Sequence, residues 1–215
     1  MRHWGSTFLM NRRLIALLLL LGLTHVPAAY GKPDLSPARE KPELSTGQRQ
    51  RLERGEILVF DVLPPGGIVK DVQGGTAVAL VRATADAVWR VLVDYPRHSG
   101  LYPRVVAATV LDADRDHALV RYVVGVGPFS FGFHVDNYPD PAQGRLAWRL
   151  ARDRHNDLFR DSWGFWQIDR GPTGVLVTYA MAARTLLPTF LTRGAERDGL
   201  VETLRAVRDR AERAG

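Results

Sequence analysis

The clearest helical spacing of apolar residues lies in the first half of the chain. Val88, Val91 and Leu92 recur at the three- and four-residue intervals of one helix face. Thr84 can cap the N-terminus of this helix through its hydroxyl, and Pro96 ends it because the residue before a proline is pushed out of the helical region. The pattern predicts a short amphipathic helix with one buried face, followed by an irregular loop that contains glycine and proline.

Downstream of this helix, apolar and polar residues alternate in short segments that are separated by turns of Gly, Pro and Asp. The alternation is clearest in 129–136, where aromatic and aliphatic residues take one face and small or polar residues the other. Short turns favour antiparallel pairing of consecutive strands. Strands are expected at 56–63, 76–83, 105–112, 118–126, 129–138, 145–151, 158–169 and 174–184.

A long helix is predicted near the C-terminus, after Pro188. Leu200, Leu204 and Val207 fall on one face of it, so the helix should lie across the sheet. A turn or two of helix is also expected at 46–54. Strands and helices do not alternate in the chain, which indicates an α+β fold with an antiparallel sheet.

The N-terminal residues have the parts of a secretory signal peptide. Arg12 and Arg13 precede an apolar run at 14–23, and small residues follow around Ala28. The run is shorter than the about 20 residues that span a bilayer. We therefore expect a periplasmic or secreted protein, with an uncleaved N-terminal anchor as the alternative.

Composition divides the chain into four expected segments. The leader after the signal peptide is rich in proline and charge and lacks the apolar residues that would let it fold. Cysteine is absent, so an apolar core must supply the stability. The segments are 1–28 as signal peptide, with cleavage as late as residue 31, 29–47 as flexible leader, 48–72 as an N-terminal helix and strand extension, and 73–215 as the main domain.

The net charge of +6 exaggerates how basic the exported protein would be. Removal of residues 1–28 takes three arginines and no acid, which leaves 26 basic against 23 acidic residues and a net charge of +3. Such a small excess on an exported chain argues against nucleic acid as a partner.

Two short motifs carry a family resemblance. The first is DYP at 94–96 with YPRV at 102–105, and the second is GFWQI at 164–168 followed by GPTGVLVTY at 171–179. Their order and spacing resemble the polyketide cyclase and coenzyme Q-binding branch of the START/SRPBCC superfamily over roughly 73–213. The resemblance implies a helix-grip fold, in which a curved antiparallel sheet wraps around the long C-terminal helix and short helices follow the first core strand.

The resemblance also implies a ligand cavity between sheet and helix, because such a sheet is rarely filled by its own side chains. We expect a lipid, quinone or sterol-like molecule held without catalysis, no cofactor or metal, a monomer, and transient contact with a membrane or membrane protein. The residues expected to bind the ligand are Tyr95, Tyr122, Phe131, Phe133, Trp148, Arg149, Trp166 and Tyr179. For most of the aromatic residues, ordinary core packing is the alternative.

The facing of strand 158–169 stays open from the sequence. Trp163 and Phe165 share one face and Trp166 takes the other, and the family pattern favours Trp166 inward.

Two other functions stay open. In an enzyme of the cyclase/aromatase kind, Arg149, Asp161, His134 or Tyr179 would guide an enolate or a dehydration. A structural or assembly module would use the fold only as a scaffold. The chain has no His/Cys spacing typical of a metal site and no serine turn of the hydrolase type, so we expect no catalytic residue.

The signal-peptide hypothesis predicts the N-terminus of the exported protein. Protein recovered from the periplasm or medium should begin near Ala29 or Lys32, because the small residues there suit a signal peptidase. N-terminal sequencing or intact mass analysis measures this. Recovery of chains that still begin with Met1 would instead support an anchor.

Overall fold

Eight antiparallel strands form one sheet in the computed structural model, which describes residues 43–66, 70–186 and 195–214. The expected signal peptide and most of the expected leader lie outside the described residues. The strands are β1 (Leu58–Phe60), β2 (Gln73–Val81), β3 (Val105–Ala113), β4 (Ala118–Val126), β5 (Phe129–Asp140), β6 (Arg145–Leu150), β7 (Phe159–Gly171) and β8 (Gly174–Thr185).

The α-helices of the described residues lie close to where the sequence predicts them. They are α1 (Thr46–Glu53), α2 (Ala85–Val93) and α3 (Ala195–Ala214), and a short 3-10 helix (Tyr95–His98) follows α2. The predicted cap is confirmed, since the Thr84 hydroxyl accepts a hydrogen bond of 3.1 Å from the backbone N–H of Ala87. None of the described helices is long and apolar enough to cross a membrane.

The strands lie in the order β1-β2-β8-β7-β6-β5-β4-β3. From β3 to β8 every strand pairs with the next one in the chain, as the short turns predict. Strand β2 instead pairs with β8, so α2 and the 3-10 helix carry the chain across to β3 at the far edge. Strand β1 of the N-terminal extension adds to the same sheet by pairing with β2.

The main core lies where α3 packs against α2 and β2. Leu200, Leu204 and Val207 of α3 are almost fully buried, and they share one cluster with Val88 and Leu92 of α2. The apolar stripes of both helices therefore face each other and the sheet, as their spacing predicts.

The segment after α2 differs from the irregular loop that we expected. Pro96 does end α2 before it, but it then occupies the first turn of the 3-10 helix Tyr95–His98. A proline fits there because its missing N–H is not needed in a first turn. This extra turn buries the side chains of Tyr95 and His98.

The structure resolves the facing of β7. Trp166 lies in the core cluster that includes α3, as the family pattern favours. Phe165 packs on the opposite face with Ala147 and Ala180, where the Arg145 guanidinium lies 4.0 Å from the centre of its ring.

Gly164 occupies a position in β7 that has no room for a side chain. A Cβ there would lie 2.3 Å from the Ala180 carbonyl oxygen and 2.6 Å from the ring of Trp148. We expect Gly164→Ala to lower the free energy of unfolding by about 2 kcal/mol or more, because overpacking forces the strand or the ring to move.

Gly199 is the matched control, since a Cβ at this α3 position would meet nothing within 4 Å. Gly199→Ala should raise stability by about 0.5–1 kcal/mol through helix propensity. Urea denaturation of both variants measures the difference, and equal effects would show that β7 can accommodate a side chain at 164.

Candidate functional site

A cavity of about 200 Å³ lies between the inner face of the sheet and α3. Strands β3 to β8 contribute wall residues, Thr203 comes from α3, and the segment that begins at His98 closes a further side. Much of the wall is aromatic. The aromatic rings that line it belong to Tyr102, Tyr122, Phe133, Trp148, Phe159, Trp166 and Tyr179.

The rings form two packed groups. In one, Trp166 and Tyr179 stack with ring centres 4.1 Å apart, because β7 and β8 bring them opposite each other. Tyr102 stacks on Trp166 at 6.4 Å. In the other, Phe133 stacks with Tyr122 at 5.7 Å and meets Phe159 edge-on at 5.0 Å. Such stacked and edge-on contacts orient the rings and make this part of the wall apolar.

His98 and Tyr122 form a buried polar pair in this wall. The His98 Nδ1 lies 2.9 Å from the Tyr122 hydroxyl, and Nε2 lies 3.3 Å from the Val91 carbonyl oxygen. A carbonyl only accepts, so Nε2 carries the proton and Nδ1 accepts from Tyr122. Burial lowers the pKa of His98 to about 4, although the hydrogen bonds to the backbone oppose this shift. The imidazole is therefore neutral at physiological pH.

The other polar side chains of the wall are uncharged as well. Asn137 Nδ2 donates to the carbonyls of Ala118 (3.2 Å) and Val135 (3.3 Å), and the Ser162 hydroxyl lies 3.2 Å from the Ala182 carbonyl, to which it donates. Burial raises the pKa of Tyr179, which keeps its phenol protonated. Among the described residues that line the cavity, no lysine, arginine, aspartate or glutamate is found.

The structure brings five of the eight sequence-predicted binding residues together. These are Tyr122, Phe133, Trp148, Trp166 and Tyr179, which all line the cavity. Their shared feature is an inward-facing position on β4 to β8, which period-2 alternation indicates.

Three predicted residues lie elsewhere. Arg149 follows Trp148 in β6 and so faces the other side of the sheet, where its guanidinium lies 5.6 Å from the Tyr138 ring centre. Phe131 pairs with Val124 nearer the β4–β5 turn and is only half-buried. Tyr95 is buried beside the wall, in the cluster that contains Tyr122, rather than in the lining itself.

The polar residues considered for catalysis are also outside the cavity, with the exception of Tyr179. His134 Nδ1 lies 2.9 Å from the His155 carbonyl oxygen, which it can contact only as a donor. Asp161 is paired with Arg152 at 2.6 Å and lies 3.9 Å from Arg184. No group of three or more His, Asp and Glu that could hold a metal occurs among the described residues.

Sequence reasoning missed His98, Tyr102, Asn137, Ser162 and Thr203 as cavity residues. Tyr102 is the first residue of the YPRV motif at 102–105, and its place in that motif could have identified it as a cavity residue. His98 was hidden because the 3-10 helix that buries it was not expected. Asn137 and Ser162 are single polar residues on apolar faces of strands, a pattern that could have marked them.

The fold and cavity define an α+β protein in which a curved sheet grips a C-terminal helix around an apolar chamber. The sequence profile of the family described as polyketide cyclase / dehydrase and lipid transport matches residues 81–208, more than half of the chain. The chain therefore belongs to this START-related family, and the predicted helix-grip fold is confirmed. Comparison with curated protein sequences gives no significant match.

Solved structures from several bacteria share the fold. The Zhui aromatase/cyclase of a Streptomyces species is 21% identical, with a TM-score of 0.58 over 66% of this chain and 94% of its own. A STAR-related lipid transfer protein from Xanthomonas axonopodis is 18% identical, with a TM-score of 0.57 over 72% and 92%. A START superfamily protein from Mycobacterium smegmatis is 17% identical, with a TM-score of 0.54 over 67% and 99%.

The buried neutral histidine predicts a pH dependence of stability. The unfolded chain binds a proton at His98 near the ordinary histidine pKa of 6.5, whereas the folded protein binds it only near pH 4. The stabilising contribution is thus complete above pH 6.5 and is lost as the pH falls toward 4. Between about pH 7.5 and 4.5 we expect the wild type to lose about 2–3 kcal/mol through this group.

Urea denaturation of wild type and His98→Gln at the two pH values isolates this component from the titration of carboxylates. The variant should be less sensitive to the change in pH. His155→Gln is the control for the loss of an imidazole, because the His155 side chain is 88% exposed and lies outside the cavity. A pH dependence that is identical in all three proteins would contradict the prediction, because it would mean that His98 binds its proton at the same pH in the folded and unfolded states.

Proposed function

We propose that this chain is an exported protein that binds one compact, uncharged, ring-containing molecule in the cavity and carries or sequesters it. The observation that carries the proposal is the composition of the cavity wall, which is aromatic, apolar and free of charged side chains among the described lining residues. The description of the family includes lipid transport, and this supports binding of an apolar ligand.

The charge of the ligand follows from the cavity wall. An ion moved from water into an apolar site without a counter-charge loses several kcal/mol of hydration. Tyr102, Tyr122 and Tyr179 remain protonated because burial raises the pKa of each phenol, and His98 is neutral. The cavity therefore favours a neutral molecule over a carboxylate, a phosphate or an amine.

The size of the ligand follows from the volume. Ligand pockets are typically about 300–1,000 Å³, so a cavity of about 200 Å³ suits a small ring system rather than a complete diacyl lipid. A quinone ring or a similar planar molecule matches both the volume and the stacked aromatic walls. Burial of about 250 Å² of apolar ligand surface would provide about 6 kcal/mol before the cost of association.

In this proposal, movement of the segment 94–104 or of α3 admits and releases the molecule, because His98, Tyr102 and Thr203 form part of the wall. Export is supported by the N-terminal sequence pattern alone. In an extracytoplasmic carrier, opening of this segment at a membrane or partner protein would load and release the molecule.

A cyclase/aromatase-type enzyme is the second candidate, and one observation favours it. The His98–Tyr122 pair lines the cavity, and it could move a proton to or from a bound substrate. A substitution there that abolishes turnover of a substrate while leaving its binding unchanged would establish the enzyme and overturn the carrier.

Cavity filling tests the binding proposal directly. Thr203→Phe places a ring in the chamber from α3, whereas Glu202→Phe adds the same ring to an exposed position next to it. The neutral quinone menadione is the probe, because it can quench the fluorescence of Trp148 and Trp166 in the wall. The absence of cysteine from the chain removes a thiol side reaction.

We expect Thr203→Phe to weaken menadione binding by at least tenfold without lowering the melting temperature, while Glu202→Phe binds like the wild type. The anion 2-naphthoate should bind at least tenfold more weakly than menadione, because the cavity offers it no counter-charge. Native mass spectrometry of the purified full chain would show whether a neutral molecule co-purifies. Failure of the wild type to bind any neutral probe would contradict the proposal and leave the scaffold alternative.

A further inference from the structure

We propose that the cavity selects ligands that carry a hydroxyl donor, such as a phenol or an alcohol, over ligands of the same shape whose oxygen only accepts, such as an ether or a ketone. This rests on the proposed function, since it names the chemical class of ligand for the same cavity. The basis is the direction of the hydrogen bonds that the polar wall residues already make.

Tyr122 lines the cavity, and its hydroxyl has already used its proton, so it can only accept a hydrogen bond from a ligand. Its single proton is donated to His98 Nδ1 at 2.9 Å, because the contact of Nε2 with the Val91 carbonyl at 3.3 Å fixes the tautomer of the imidazole. The Tyr122 ring is held between His98, with ring planes 8° from parallel, and Phe133, at 5.7 Å. The phenol oxygen retains acceptor capacity, but it has no second proton to offer a ligand.

Two further wall residues have used their donors in the same way. The Asn137 amide donates to the carbonyls of Ala118 and Val135, which leaves its Oδ1 as an acceptor. The Ser162 hydroxyl donates its only proton to the Ala182 carbonyl. Tyr122, Asn137 and Ser162 therefore already donate to other groups of the protein. Toward a ligand, these three side chains can only accept a hydrogen bond.

The remaining hydroxyls do not reverse this preference. Tyr102, Tyr179 and Thr203 make no hydrogen bond to the residues that the structure describes, so each can donate or accept as the ligand requires. A ligand hydroxyl can thus donate to a committed acceptor and accept from one of these rotors. An ether or ketone oxygen has no proton to donate, so it cannot form a hydrogen bond with Tyr122, Asn137 or Ser162.

The expected discrimination is about 5- to 30-fold. A neutral hydrogen bond contributes modestly in itself, but a buried acceptor that loses water without gaining a donor carries a larger penalty. Three probes of closely similar ring size separate the terms: naphthalene has no polar atom, 2-naphthol can donate and accept, and 2-methoxynaphthalene can only accept.

The experiment is a titration of the full chain with these three probes and with 2-methylnaphthalene and 2-ethylnaphthalene. The affinity for 2-naphthol is divided by that for 2-methylnaphthalene, and the affinity for 2-methoxynaphthalene by that for 2-ethylnaphthalene, so that each ratio removes the hydrophobic part for a probe of the same shape. For the wild type, the corrected affinity for 2-naphthol should exceed that for 2-methoxynaphthalene about 5- to 30-fold. Tyr122→Phe should reduce that ratio several-fold. Tyr138→Phe is the matched control, because Tyr138 is buried outside the cavity lining, and it should keep the wild-type ratio.

His98→Phe provides a test in the opposite direction. Without Nδ1, the Tyr122 hydroxyl is free to rotate and donate into the cavity, so 2-methoxynaphthalene should gain affinity relative to 2-naphthol. A residue with a purely structural role would change both affinities equally. Melting temperatures identify any variant that fails to fold, and the wild-type ratio alone then decides.

Each outcome separates this inference from the proposed function. Equal corrected affinities for 2-naphthol and 2-methoxynaphthalene, or a preference for the ether, would overturn the selectivity while leaving the cavity as a binding site. Failure of naphthalene and menadione to bind would contradict the proposed function and this inference together. A preference for 2-naphthol that Tyr122→Phe does not reduce would show that Tyr122 is not the acceptor that selects it.

Discussion

The cavity lies where it does because α3 is much narrower than the sheet that it covers. A helix with its side chains is about 10–12 Å wide, whereas neighbouring strands are spaced by about 4.8 Å, so α3 covers roughly two strands of the eight. It packs mainly on β2 and α2, with smaller contacts to β1 and β8. The inner face of β4 to β6 is left to be covered by side chains from the sheet and from the 94–104 segment. The aromatic residues are large enough to wall this space without filling it completely.

The sequence predicts the parts of this arrangement that depend on local periodicity. The alternation in β5, the apolar stripes of α2 and α3 and the Thr84 cap each specify an element and its buried face. The same alternation identifies Phe133, Trp148 and Trp166 as inward-facing.

Local periodicity cannot show how far along a strand the covered region extends, and this accounts for the misplaced residues. Phe131 shares a face with Phe133 but lies two residues closer to the β4–β5 turn, outside the chamber. Arg149 was expected to bind the ligand although it follows Trp148 directly in β6, and alternation places neighbouring residues of a strand on opposite faces of the sheet. His98 was missed because its burial depends both on the unexpected 3-10 helix and on a non-local contact, the hydrogen bond to Tyr122 across 24 residues of sequence.

The 94–104 segment, which the proposed function requires to move, combines stabilising contacts with destabilising features. Its position is held by the contacts of His98 with Tyr122 and Val91, by the hydrogen bond from the Ser99 hydroxyl to the Val106 carbonyl, and by its packing in the two core clusters. The same segment carries destabilising features. The Tyr95 hydroxyl is buried without a hydrogen-bond partner among the described residues, and Arg104 has a φ of 65°, a left-handed conformation that costs a non-glycine residue about 1–2 kcal/mol.

An unpaired buried hydroxyl also costs about 1–3 kcal/mol, and opening to water would relieve it. These costs offset part of the stability that the contacts of the segment provide. A ligand that stacks on Tyr102 and bonds to Tyr122 would add contacts only in the closed state, so binding and closure would stabilise each other.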